Sequence, residues 1–170
     1  MSSFLKVLAI VVTLVGAVFV AGLTGVLFAV WPTSWPDQQL PVTDSEIAAL
    51  QRLRAAHKFY PEAKLFYPGA VDEATRAKCE ALVNDLLSEL IASVKTTPRK
   101  SRVLSALKAT LSIPSRLDSE EQDRLASYLE EILSILGIDS SNELINVWRY
   151  GFPYGWFRSS EIKAHRVDKL

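Results

Sequence analysis

The sequence is poor in the residues from which disulfide scaffolds and common metal centres are built. It has one cysteine, Cys79, and two histidines, His57 and His165, in 170 residues. A lone cysteine cannot form an internal disulfide, and neither histidine has a second histidine or a cysteine at metal-ligand spacing. We therefore expect no disulfide framework and no metal site, and we predict that Cys79 is a small buried apolar residue.

Glycine and net charge are also scarce. The seven glycines form no phosphate-binding loop and no Gly-x-Ser-x-Gly turn, and no His-Glu-x-x-His sequence occurs. The 19 basic and 19 acidic side chains cancel, which argues against a strongly basic nucleic-acid-binding protein. We therefore predict no catalytic residues, no cofactor and no nucleic-acid partner, and we expect that the protein is not an enzyme.

Adjacent carboxylates give little reason to change that expectation. Glu120 and Glu121 are neighbours in a predicted helix, so their side chains point about 100° apart and do not share one site. Both fall in a first helical turn, where negative charge complements the helix dipole. We interpret them as part of a solvated face.

Charge is almost absent from the first 36 residues, where Lys6 is the only charged side chain. The apolar run from Val7 to Trp31 would span roughly 37 Å as a helix, enough to cross a hydrocarbon core of about 30 Å. The run is longer than the apolar region of a signal peptide and ends without a small-residue cleavage site. We predict an uncleaved membrane anchor over residues 1–31, with a cleaved signal peptide as the alternative.

The charges that flank the anchor favour one orientation. Lys6 precedes the apolar run, whereas Asp37, Asp44 and Glu46 follow it before the first basic residue, Arg52. Because positively charged flanks stay in the cytoplasm, we expect a cytoplasmic N-terminus and a domain on the other side of the membrane.

Small residues recur at every fourth position of the anchor. Such a row lets a second membrane helix approach closely. It predicts a packing face for self-association or for a partner's membrane helix, although chance recurrence of Ala and Gly is the alternative. The row consists of Ala9, Thr13, Ala17, Ala21, Gly25 and Ala29.

The remaining chain predicts a short linker, one helical domain and a tail. Residues 32–42 contain three prolines and resemble a semi-extended spacer. Period-two alternation bounded by turns is absent, so we predict an all-α bundle over residues 43–151 and a tail over 152–170. Apolar periodicity predicts five helices, at about 44–58, 72–95, 98–112, 118–136 and 141–149.

Two aromatic segments are candidates for recognition. A Phe-Tyr-Pro triplet occurs at residues 59–61 and again at 66–68, and six of the sixteen aromatic residues lie within 148–157. Aromatic side chains suit interfaces, but both segments could instead pack on the bundle. The candidate partner surface comprises Phe66, Tyr67, Pro68, Trp148, Tyr154, Trp156 and Phe157.

The sequence resembles a family of small helical bacterial domains of unknown function. The resemblance covers roughly residues 46–151. It rests on Lys58-Phe59, on the Phe-Tyr-Pro-Gly turn at 66–69, on the Leu-rich helix that follows, on 137–141 and on 144–148. It implies an all-α domain and a bacterial origin, and therefore an inner-membrane protein with a periplasmic domain. It implies no catalytic residues.

These observations favour a non-catalytic, membrane-anchored domain that binds another protein. An accessory subunit of an envelope complex and an immunity-type inhibitor both fit. An enzyme with an unusual site that acts on envelope material is an alternative, and it would require acidic residues that converge with His57 or Arg54. A structural or sensory module is the other alternative.

Overall fold

The computed structural model describes residues 3–31, 33–34, 37–113, 117–151 and 154–157, without the side chains at 28–30, 156 and 157. Within these ranges there is no strand, only two isolated bridges, Gln39–Arg99 and Glu62–Tyr67. The predicted all-α class and the bundle of about five helices behind an apolar helix are confirmed. The helices are α1 (Ser3–Val30), α2 (Asp44–Ala55), α3 (Glu73–Val94), α4 (Lys100–Leu111), α5 (Ser119–Ile135), α6 (Leu144–Tyr150) and α7 (Tyr154–Phe157), with a 3₁₀ turn at Ala63–Leu65.

The first helix, α1, differs from the others in length and exposure. Its Ser3–Leu27 section has a mean hydropathy of 2.6 in its most apolar window, and none of that window is buried against the rest of the protein. A core helix of a soluble domain would bury such side chains. Helix α1 is therefore long and apolar enough to span a membrane.

Local signals explain where most of the bundle helices begin. Helix α2 begins with a capping box: Thr43 N–H donates to Glu46 Oε2 (2.7 Å), and the Thr43 side chain accepts from Ser45 N–H. Asp72 caps α3 by accepting from Thr75 N–H at 2.6 Å. Asp118 caps α5 in the same way. Each cap satisfies amide groups that the first helical turn leaves without partners.

Helix α3 lies at the centre of the bundle and contacts α2, α4 and α5. The interior is formed by the apolar stripes that the periodicity predicted, and its side chains are almost completely buried. Full burial of a Leu side chain is worth about 1.5–3 kcal/mol, so this interior dominates the stability of the domain. Its central members are Leu50, Val83, Leu86, Leu87, Leu90, Leu104, Leu107, Leu125, Leu129 and Ile132.

Within the predicted linker, residues 37–42 are docked on the bundle. Leu40 N–H donates to Pro98 O (2.7 Å), and Lys100 N–H donates to Gln38 O (2.8 Å). Leu40 itself is buried in the core. Arg99 is extended (φ −124, ψ 139), and α4 begins at Lys100, where the sequence predicted a start at about 98.

Asp37 supplies the cap that α4 lacks within its own sequence. The residue at the N-cap position, Arg99, makes no side-chain capping bond. Asp37 Oδ1 instead accepts from Ser101 N–H (2.9 Å), and Oδ2 accepts from Arg99 Nη1 (2.8 Å). These bonds hold the pKa of Asp37 at about 2.

A second contact joins the end of α1 to α4. Lys108 Nζ donates to the carbonyl oxygen of Trp31 at 2.8 Å. Trp31 therefore lies beside the second half of α4, and Asp37 lies beside its first turn. The chain leaves the apolar helix alongside α4.

The end of α4 near Trp31 lies at one end of the bundle. That end also contains the starts of α3 and α5. Helices α3 and α4 are joined by only five residues and pack together, so they run antiparallel. The start of α5 lies near the start of α3, because Val71 N–H, just before the α3 cap, donates to the Glu121 carboxylate. We call this the anchor-side end, because the second half of α4 contacts Trp31.

Candidate functional site

Residues 59–70, which include both Phe-Tyr-Pro triplets, fold into a short hairpin that we call the aromatic hairpin. Glu62 N–H donates to Tyr67 O (2.9 Å), Tyr67 N–H donates to Glu62 O (3.1 Å), and Ala70 N–H donates to Phe59 O (3.1 Å). Gly69 has φ +97, and a Cβ there would lie 3.0 Å from the Pro61 ring. Only glycine suits this close turn.

The base of the aromatic hairpin is fixed to α3 and α5. Phe59 is buried, and its ring centroid lies 5.2 Å from that of Tyr128 on α5. Arg124 Nη2 donates to Glu62 Oε2 at 2.6 Å. The Arg76 guanidinium of α3 lies 4.7 Å from the Tyr60 ring centroid. The hairpin therefore has a packed base and an ordered tip.

The tip of the hairpin, residues 63–66, exposes apolar side chains. Leu65 is 54% exposed and Phe66 is 94% exposed. Phe66 also has φ +53, in the left-handed region that a bulky residue rarely adopts. The next residue, Tyr67, is only 7% exposed, so the two neighbours have opposite environments.

Beneath the aromatic hairpin lies a group of buried ionisable side chains. Glu121 is 2% exposed, in contrast to the solvated role that we predicted for it. Burial, followed by the adjacent Asp118 carboxylate, raises the pKa of Glu121. The hydrogen bond between the two side chains lowers the pKa of Asp118.

Two further members of this group, Cys79 and Tyr67, also have raised pKa values. Burial is the main cause that raises the pKa of Cys79 to about 11 and that of Tyr67 to about 12, and Glu121 adds to both shifts. Cys79 is a buried free thiol, as predicted. A thiol with a raised pKa is a poor nucleophile.

His57 and Arg54, on which the enzyme hypothesis depended, have different partners. His57 is exposed, with its ring 5.8 Å from that of Tyr60, and Arg54 donates to Ser88 Oγ at 3.3 Å. Neither contacts the Asp118–Glu121 pair. In the part of the chain that the structure describes, no group of three or more His, Cys, Asp or Glu side chains could hold a metal ion.

The second aromatic segment forms the α6–α7 pair. Trp148 packs against the core, and Arg149 forms an ion pair with Asp123 of α5. Helix α7 folds back on α6: a Cβ on Gly155 would lie 2.5 Å from the carbonyl oxygen of Asn146. Tyr154 is 58% exposed on this short helix.

The structure thus divides the candidate partner residues between two places. Phe66 and Pro68 are exposed on the aromatic hairpin, whereas Tyr67 is buried, which corrects its assignment to the surface. Trp148 is half-buried and Tyr154 is exposed. The side chains of Trp156 and Phe157 lie outside the described residues, although both residues belong to α7.

The small-residue row on α1 is exposed where it is described. Ala9, Thr13, Ala17, Ala21 and Gly25 have no contact with the bundle, and Thr13 Oγ1 donates to Ala9 O (2.9 Å) within the helix. The side chain of Ala29 lies outside the described residues. The row remains a predicted packing face.

Three features of the domain could not be found from residue spacing. Glu121 accepts a backbone hydrogen bond from Val71, which is distant in the sequence, and Asp37 accepts one from Ser101, 64 positions away. Lys58 is the third: it is 1% exposed and donates to the carbonyls of Arg54 (3.2 Å) and Ala56 (2.8 Å). In the sequence, only the Phe-Tyr-Pro repeat indicated the aromatic hairpin.

The fold and the sites define an all-helical bundle preceded by an apolar N-terminal helix. Residues 41–153 match the family described as domain of unknown function DUF4844, and the chain belongs to that family. This confirms the resemblance to an uncharacterised helical family. The chain is also similar to the crystal structure of a DUF3571 family protein from Acinetobacter baumannii AYE. That likeness has 26% identity and a TM-score of 0.59, over 72% of this chain and 98% of the other. No curated protein matches the chain.

Proposed function

We propose that this protein is a non-catalytic, single-pass protein of the bacterial inner membrane whose helical domain binds another protein. The apolar length of α1 supports the anchor. Lys6 before it and Asp37, Asp44 and Glu46 after it support a cytoplasmic N-terminus and a periplasmic domain.

The observation that carries the binding role is the construction of the α6–α7 pair. The close approach of Gly155 to Asn146 fixes α7 on α6, and Arg149 ties α6 to α5 through Asp123. Tyr154 is therefore presented on a fixed support. Exposed, pre-ordered aromatic side chains lose little entropy on binding and are frequent in the energetic centres of protein interfaces.

Quantitative co-purification of the full chain from native membranes in mild detergent tests the binding role. We expect a stoichiometric protein partner, and we expect Tyr154→Ala to weaken its retention about tenfold or more, as for a central aromatic residue. Gly155→Ala should act similarly, because its methyl group would displace α7. Asp139→Ala, on the exposed α5–α6 connection, is the matched control. A wild-type chain that purifies alone, or a Tyr154→Ala chain that keeps its partner fully, contradicts the proposed surface.

Labelling of introduced cysteines tests the orientation separately. The two variants are Thr96→Cys and Ser3→Cys. Thr96 lies on the exposed α3–α4 connection, and Ser3 lies at the start of α1. In spheroplasts, a membrane-impermeant maleimide should react with the cysteine at position 96 and should reach position 3 only after permeabilisation. The reverse pattern would place the domain in the cytoplasm.

A further inference from the structure

Exposed apolar side chains gather at the anchor-side end of the bundle. Outside α1, six large apolar side chains in the described ranges are substantially exposed. Five of them lie on the two connections at that end. Four belong to the α2–α3 connection and one follows α4: Tyr60, Leu65, Phe66, Val71 and Ile113.

The tip is ordered even though its apolar side chains face outward. The Glu62–Tyr67 backbone pair closes it, and Arg124 holds Glu62. Phe66 occupies a left-handed conformation while it is 94% exposed. Its backbone ends the 3₁₀ turn, with Phe66 N–H donating to Ala63 O at 3.2 Å, so the turn accounts for this conformation. The exposure of the ring is the feature that points to a contact outside the domain.

The same end of the bundle meets the end of the apolar helix. Lys108, which holds the Trp31 carbonyl, is three residues before the last residue of α4, or about 4.5 Å along the helix. Ile113 follows two residues later. The aromatic hairpin leads directly into the cap of α3 at this end.

Charge near the tip also suits an anionic surface. Lys64 is exposed between Ala63 and Leu65. Glu62, two residues before it, is paired with Arg124. A basic residue beside exposed Leu and Phe is typical of segments that enter the interfacial layer of a bilayer.

We propose that the tip of the aromatic hairpin, through Leu65 and Phe66, inserts into the interfacial layer of the bilayer that α1 spans. The bundle then has two membrane contacts, α1 and the tip, and is held in one orientation on the membrane. This inference rests on the proposed membrane placement of α1.

The test uses the full chain in nanodiscs that contain phosphatidylcholine and phosphatidylglycerol. A fluorophore sensitive to its environment is attached to Leu65→Cys, and the readouts are its emission maximum and its quenching by nitroxide-bearing lipids. Cys79 is buried with a pKa of about 11, so the unsubstituted chain is the labelling blank. Thr96→Cys at the opposite end and Val12→Cys within α1 are the reference positions.

We expect the probe at position 65 to emit at shorter wavelength than the probe at position 96 and to be quenched by the lipid. Adding Phe66→Ser should shift its emission toward that of position 96, whereas adding Ala92→Ser on the exposed face of α3 should leave it unchanged.

The reference position in α1 separates two kinds of failure. A probe at position 65 as aqueous as that at position 96, while position 12 is embedded, overturns the tip contact and leaves the anchor intact. An aqueous probe at position 12 overturns the anchor itself. A tip that is shielded in native membranes but aqueous in nanodiscs would show that it binds a protein, and would also overturn the bilayer contact.

Discussion

Glu121 is the residue that most directly couples the stability of the domain to pH. Its pKa in the folded domain lies above the ordinary value of 4.5, so the folded state binds more protons there than the unfolded state. Stability is then lost as pH rises from 4.5 through the folded-state pKa. Asp118 has the opposite shift, below 3.8, and stability is lost again as pH falls through its folded-state pKa.

Replacement of Glu121 by Gln should remove the first of these effects. The amide can donate to Asp118 as the protonated acid does, and it carries no charge at any pH. We expect the wild-type free energy of unfolding to fall above pH 4.5 with a slope of up to about 1.4 kcal/mol per pH unit, and the variant to lack that slope. Denaturant titrations at several pH values measure both. Parallel slopes would show that Glu121 is not the responsible group.

At Phe66, a substitution should separate the stability of the domain from the proposed bilayer contact. Its positive φ costs a side-chain-bearing residue about 1–2 kcal/mol, which glycine avoids. We expect Phe66→Gly to leave thermal stability unchanged or higher, because its 94% exposed ring contributes little packing. Tyr67→Gly is the matched comparison and should destabilise by several kcal/mol, because it empties a buried site. A strongly destabilised Phe66→Gly would mean that Phe66 is structural.

At the scale of elements, the linker and α4 form one unit. Asp37 caps α4, Leu40 enters the core, and Lys108 holds the carbonyl of Trp31. The apolar helix is therefore joined to the bundle by a packed segment along α4.

Asp37 lies before residue 43, the predicted start of the domain, yet removal of its capping carboxylate should destabilise the domain. We expect Asp37→Ala to cost about 1 kcal/mol, the usual value of an N-cap, with Asp139→Ala as a control of equal charge change. The wild-type contribution should be lost as pH falls from 3.8 toward about 2, because the pKa of Asp37 is lowered in the folded state. Thermal unfolding at neutral pH and near pH 2 measures this. Equal melting temperatures for the two variants would contradict the capping role.

The same elements show what sequence patterns can predict. The capping box of Thr43 and Glu46 lies within four residues, so local spacing was sufficient to place the start of α2. The start of α4 depends on Asp37 and Leu40, whose pairing with residues 98–101 is not local. The opposite environments of Phe66 and Tyr67 follow from a left-handed turn that the Phe-Tyr-Pro repeat does not specify.

The whole molecule combines an apolar helix, a bundle that Lys108 of α4 links to the end of that helix, and an aromatic residue exposed on the α6–α7 pair. The proposed bilayer contact of the hairpin tip would orient the bundle. Tyr154 would then be presented at a fixed position relative to the membrane. Binding of another protein at this surface is the central claim.

Photo-crosslinking in native membranes tests that claim most directly. A photoreactive phenylalanine analogue replaces Tyr154 in the full chain, and a second chain carries it at Ala92, on the exposed face of α3. The account predicts one discrete crosslinked protein product from position 154 and none from position 92. No product from position 154, or the same products from both positions, would contradict it.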